Sequence, residues 1–158
     1  MSPPRQKLLW RCPACGRSFA NRNQSHACGT HGLDAHFEGK SDAVRRIYHA
    51  FLAMLEEIGP VTVLPEKTRI AFQVRMSFAQ LTVRRRWVLG HFVLARRAED
   101  ARFTKLETIS PRNHLHHFRL EAPEEVERLR DYAREAYAVG RQEHVAYRHP
   151  SEGWDPGE

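Results

Sequence analysis

Residues 69–76 read Arg-Ile-Ala-Phe-Gln-Val-Arg-Met. Ile70, Phe72, Val74 and Met76 fall on one side of an extended chain; Arg69, Gln73 and Arg75 fall on the other, with Ala71 between them. Successive side chains of a strand point to opposite faces, so a period of two marks a strand with one face in a core and one in water. The spacing predicts a buried Phe72 and an open face carrying Arg69, Gln73 and Arg75.

The same period runs outward from this stretch. Strands are predicted over 61–64, 69–76, 78–83, 87–95, 103–109 and 114–120. Arg84-Arg85-Arg86 falls at one turn and Ser110-Pro111-Arg112-Asn113 at another. Connections this short favour an antiparallel meander of five or six strands.

Two helices flank the strands. Ser41 reads as an N-cap with Asp42 in the first turn. Val44, Ile47, Tyr48, Phe51, Leu52, Leu55 and Ile58 then recur at three- and four-residue steps until Gly59-Pro60 ends the helix. The second begins at Pro123 with Glu124 and Glu125 behind it, and its apolar stripe is Val126, Leu129, Ala133, Ala136 and Tyr137. A helix is also expected to contribute one turn near Leu33 and Phe37. The predicted fold class is α+β: an antiparallel sheet covered on one face by both helices, the other face open.

Before the sheet, the chain reads Cys12-Pro-Ala-Cys15-Gly and then His26-Ala-Cys28. A Cys-x-x-Cys turn presents two thiolates to one ion, and a second pair closes a tetrahedron. Thiolates with one imidazole suit zinc. The expectation is one structural Zn held by Cys12, Cys15, His26 and Cys28, with thiolates about 2.3 Å and the imidazole about 2.0–2.1 Å from the metal. His31 is the alternative imidazole ligand. The second pair departs from the His-x3–5-His of common fingers, so a zinc-ribbon-like knuckle built on loops is expected, with Trp10 and Phe19 packed against it. Four protein ligands leave no open position for water.

The domain plan follows: residues 1–30 a knuckle module with a loose N-terminal tail, 31–147 the α+β domain, and 148–158 a disordered tail. All three cysteines lie in the knuckle, which argues against a disulfide framework and for a reducing, cytoplasmic setting. No apolar run is long enough to span a bilayer and no charged-then-apolar leader opens the chain, so a membrane role is not expected.

Charge is uneven. The formal net charge is +6, and residues 61–120 carry twelve basic against four acidic side chains, whereas 121–158 carry five against ten. A basic middle beside an acidic C-terminal third points to an anionic partner for the middle. Arg84, Arg85, Arg86, Arg96 and Arg97 at strand ends, with Arg69 and Arg75 on the open face, are candidate nucleic-acid-binding residues, since guanidinium groups pair with phosphate oxygens. An aromatic side chain nearby would stack bases.

A histidine cluster is the second candidate. Alternation puts His114 and His116 on one strand face and His117 on the other, near His91, Arg112 and Glu107. His114 and His116 with Glu107 would make a second metal site or an acid–base pair. No Gly-rich phosphate loop, nucleophile elbow or paired-carboxylate motif is present.

Three stretches carry a family resemblance: Lys67-Thr-Arg-Ile-Ala-Phe-Gln73, Ser110-Pro-Arg-Asn-His-Leu-His-His-Phe118 and Ala136-Tyr-Ala-Val-Gly-Arg-Gln142. Residues 31–147 resemble a bacterial family of uncharacterised proteins, domain-of-unknown-function family 5655. The resemblance implies a small α+β domain, in some proteins beside nuclease-like or restriction-associated regions. It implies no activity and no site residues. Three functions remain open at this point: a zinc-stapled nucleic-acid-binding module, a protein-interaction domain, and a small enzyme using the histidine cluster. The first is favoured, and an enzyme is the less expected outcome.

Overall fold

A computed structural model describes residues 8–13, 18–20 and 32–143. Two short strands, β1 (Trp10–Arg11) and β2 (Ser18–Phe19), pair as a hairpin. A 3-10 turn over Leu33–Phe37 leads into α1 (Asp42–Ile58). Then come β3 (Thr62–Pro65), β4 (Ile70–Gln73), β5 (Ser77–Val83), β6 (Val88–Leu94), β7 (Lys105–Ser110) and β8 (Asn113–Leu120). A 3-10 segment, Pro123–Leu129, runs into α2 (Arg130–Gly140). The fold is α+β, as the periodicities predict, with one six-stranded antiparallel sheet beside the two-stranded hairpin.

The strand order is β3-β4-β5-β6-β8-β7, which is not the expected meander. The β7–β8 hairpin folds back so that β8, not β7, lies beside β6. The burial patterns give the reason. Strand β8 buries His114, His116, Phe118 and Leu120, whereas no residue of β7 is fully buried. The strand that buries four side chains takes the interior position, and the strand that buries none takes the edge, where an uncovered face costs least.

One face of the sheet meets the helices. Ile70, Phe72, Leu81, Val88, Phe92 and Phe118 pack with Ile47, Phe51 and Leu55 of α1 and Ala133, Ala136 and Tyr137 of α2. The Phe51 ring sits at the centre, with ring centroids 5.2 Å from Phe72, 5.8 Å from Phe92 and 5.9 Å from Phe118. Phe118 also lies across Gly90 of β6. A Cβ there would come within 2.7 Å of the Phe118 ring and 2.8 Å of the Gln80 carbonyl, so only glycine admits the ring.

Strand β4 is shorter than its period suggests. It ends at Gln73, where the pairing with β5 slips by one residue, and Val74–Met76 become a half-buried turn. The amides of Arg75 and Met76 both donate to the Gly140 carbonyl, and Arg75 Nε donates to Gln142 Oε1. Arg75 is therefore tied to the end of α2 and does not accompany Arg69. Gln73 is only 3% exposed, and its Nε2 donates to the Ser18 carbonyl at 2.5 Å. The cause is the β1–β2 hairpin, which lies on the outer face of β3 and β4. Cys12, Phe19, Leu64 and Ala71 are buried together there, with Trp10 against them. Among the described residues, nothing covers the outer face of β5, β6, β8 and β7.

The helix termini add two details. Ser41 holds the N-cap position of α1, but its hydroxyl makes no capping bond; its amide donates to the Arg85 carbonyl instead. Ahead of α2, Glu125 Oε1 accepts the amides of Glu121 and Ala122, and the first turns are 3-10, not α. No helix among the described residues is long and apolar enough to cross a membrane.

Candidate functional site

Antiparallel pairing carries one row of side chains across the outer face. Ala71 of β4 is opposite Gln80 of β5, Gln80 opposite His91 of β6, His91 opposite His117 of β8, and His117 opposite Lys105 of β7. Residues opposite one another on one face come within reach of direct contact. The hairpin covers Ala71, so the remainder of the row forms the floor of an open trough of about 640 Å³. Arg69, Arg84 and Lys105 line it together with Thr82 and Thr104. Among the described residues, the lining holds three side chains of fixed positive charge and no carboxylate.

The floor is held in place by hydrogen bonds. Arg69 Nη1 donates to Gln80 Oε1 at 3.1 Å. His117 Nε2 is 2.8 Å from Glu107 Oε1, and Lys105 Nζ is 3.2 Å from the same oxygen. Lys105 and His117 hold the Glu107 carboxyl below its usual range, so it is ionised and only accepts; the proton of this contact sits on His117 Nε2. The His91 and His117 rings meet edge to face with centroids 5.3 Å apart. Burial, together with the neighbouring His117 and Arg69, pushes His91 down to about 4, so it is neutral at pH 7.

A second concavity, of about 360 Å³, adjoins the first and shares Thr68, Thr82 and Arg84 with it. His36, Lys40, Glu66 and Lys67 line its far end. Lys40 Nζ donates to the Val83 carbonyl at 2.7 Å, and burial and Arg84 lower its pKa. Arg84 thus lines both concavities, with Lys40 and Lys67 in one and Lys105 in the other.

The predicted arginines divide into groups. Arg69 and Arg84 line the trough. Arg85 and Arg86 are exposed beside Arg84 in the β5–β6 turn. The other members are engaged elsewhere: Arg96 with both oxygens of Glu135, Arg97 with Thr108 Oγ1, and Arg75 with Gln142.

His114, His116 and Glu107 are not brought together. His116 is fully buried on the helix-covered face. Its Nε2 accepts the Ala98 amide at 2.9 Å, and its Nδ1 donates to the His114 carbonyl at 3.0 Å. Burial lowers its pKa, and both ring nitrogens are satisfied in the neutral form. His114 bonds Thr108 Oγ1 and the Pro111 carbonyl. Glu107 turns instead to His117 on the outer face. The pairing of His91 with His117, missed in the sequence, depends on β8 lying beside β6, which the strand periods do not reveal.

Of the expected zinc ligands, Cys12 is buried in the hairpin cluster. Cys15, His26, Cys28 and the alternative His31 lie outside the described residues. Among the described residues, no group of three or more His, Cys, Asp or Glu side chains is arranged to hold a metal ion, the trough included.

A family model described as Domain of unknown function (DUF5655) matches residues 33–140, from the 3-10 turn before α1 to the end of α2. The hairpin that carries Cys12 precedes the matched region. No curated protein and no solved structure matches the chain.

Proposed function

The chain belongs to the domain-of-unknown-function family DUF5655, and we propose that this member is a nucleic-acid-binding module whose open sheet face takes the phosphate backbone. The observation that carries the reading is the pair of adjoining concavities that share Arg84, lined by Lys40, Lys67, Arg69 and Lys105 against the single carboxylate of Glu66. An elongated run of cations suits a linear polyanion better than a point charge. Arg85 and Arg86 extend the cationic edge, and Gln80, Thr82 and Thr104 supply neutral hydrogen-bond partners. Backbone contacts of this kind position a strand without reading its sequence.

Within this proposal the N-terminal knuckle is a structural zinc site of Cys12, Cys15, His26 and Cys28. Cys12 lies in the connection between β1 and β2, already buried beside Phe19. The bound ion would fix the hairpin that covers Leu64, Ala71 and Gln73 and so mark the edge of the groove. Metal analysis of the purified chain is expected to give about one zinc per molecule, as a closed four-ligand site requires. Well under one equivalent removes this part of the reading.

Salt-titrated binding to single- and double-stranded DNA and RNA tests the function. Affinity is expected to fall steeply with salt, by about 0.9 in the log–log slope for each phosphate neutralised on duplex DNA. Changing Arg84, Arg85 and Arg86 together to Ala is expected to lower the slope by up to about three units, alike for all sequences. Undetectable binding at low salt, or an unchanged slope in the triple variant, makes the protein-interaction reading the better one.

A further inference from the structure

The trough has a feature that backbone binding alone does not use. Its floor is a pair of histidines in ring contact, one held by a carboxylate and the other neutral in the absence of ligand. Its volume, about 640 Å³, lies within the range of a small-ligand pocket and exceeds what one phosphate group fills. Resting on the nucleic-acid reading for its polymeric ligand, we infer that His91 and His117 form a subsite for a terminal phosphomonoester, either the phosphorylated end of a strand or a mononucleotide.

Charge drives the argument. An internal phosphodiester carries one negative charge, whereas a terminal phosphomonoester carries about 1.5–2 at pH 7. Among the described residues, the groups around His91 are Gln80 from β5, Arg69 just before β4, His117 from β8, and Lys105 and Glu107 from β7, with Arg84 just after β5. Glu107 is the sole acid among them and is already shared between Lys105 and His117. With no ligand present, burial first, and then His117 and Arg69, oppose a proton on His91. A dianion among the same groups offsets the two cationic contributions and favours the proton. The extra charge of a monoester is thereby met by a cation that a diester recruits less strongly. Binding of the phosphorylated end takes up a proton, and its advantage over the diester grows as pH falls from about 8 towards the second phosphate ionisation near 6. The remaining volume accommodates the sugar and base, with Leu89 as an apolar wall.

The test is calorimetric titration of the full, metal-loaded chain with a 5′-phosphorylated and an unphosphorylated single-stranded oligonucleotide of one sequence, and with adenosine 5′-monophosphate and adenosine. Each titration is run in two buffers of different ionisation enthalpy. The phosphorylated strand is expected to bind about tenfold more tightly, the factor one added charge-assisted hydrogen bond supplies, with net proton uptake. His91→Gln is expected to lose the proton uptake and most of the preference. The proton count on the unsubstituted protein needs no variant, and circular dichroism reports whether the variant has folded. If both oligonucleotides bind equally and no proton is taken up, the subsite is overturned while the nucleic-acid reading stands. If adenosine 5′-monophosphate binds with proton uptake and neither strand binds, the subsite holds as a mononucleotide site and the nucleic-acid reading falls. If nothing binds, both fall.

Discussion

Strand β8 carries histidines at 114, 116 and 117, and its two faces treat them in opposite ways. On the helix side, His116 is enclosed by Phe103 at 5.0 Å between ring centroids, and both its nitrogens are used by backbone groups. One residue along, His117 faces a trough, holds Glu107 through one nitrogen and touches His91 through its ring. The first is a polar group folded into a core at the expense of its charge; the second stands where a ligand reaches it. A histidine becomes a candidate for function when its ring remains accessible to a ligand and its neighbours make protonation conditional. Number and spacing in the sequence do not decide this.

The two faces also respond differently to substitution. The largest effect is expected on the aromatic side: Phe72→Ala removes a fully buried ring from against Phe51 and should cost about 3–5 kcal/mol in urea unfolding. A loss below about 1 kcal/mol would mean that the Phe51 cluster is not the centre of the core. Gly90→Ala comes next, at about 1–3 kcal/mol, because its Cβ meets the Phe118 ring and the immovable Gln80 carbonyl. On the outer face, His117→Gln should change stability by less than about 1 kcal/mol, since it loses a partly exposed pair with Glu107 and one edge contact with His91.

Protonation sharpens the contrast further. His91 and His116 both have pKa values below the ordinary 6.5, His91 at about 4. Below pH 6.5 the unfolded chain therefore binds more protons than the folded one, and stability rises with pH across that window. Melting temperature should be level above about pH 7 and decline as pH falls from about 6.5 towards 4. His91→Gln should make the decline shallower. A profile unchanged by that substitution would place the acid sensitivity on the inner face alone. Ligand should oppose the decline, because it favours the proton on His91.

How far the sequence reveals all this differs between the faces. The inner face is legible because burial imposes a period: Ile70 and Phe72 along β4, Val44 to Leu55 along α1. The stop of β4 at Gln73 is not legible, since Val74, Arg75 and Met76 continue the alternation and only the bulge against β5 ends it. Gln73 shows the same gap. Its polarity reads as solvent exposure, yet the hairpin covers it and the Ser18 carbonyl satisfies it. The basic character of the outer face is legible from charge, and Arg69 and Arg84 are found from it. Which arginines remain available is set by tertiary partners: Glu135 and Gln142, 39 and 67 residues from Arg96 and Arg75, and Thr108 on the neighbouring β7. The His91–His117 contact depends on strand order, and strand order follows from the polar character of β7 weighed against β8, which period alone does not express.

If the outer face of β5, β6, β8 and β7 is the working face, a ligand must be felt there first. Amide chemical shifts of the full chain, mapped on addition of a 5′-phosphorylated single-stranded oligonucleotide, report this residue by residue. Perturbations are expected to concentrate at Thr68, Arg69, Gln80, Arg84, His91, Lys105 and His117, with Val126, Ala133 and Tyr137 at rest. Shifts clustered on α2 or confined to the β1–β2 hairpin, with the trough unperturbed, would contradict it.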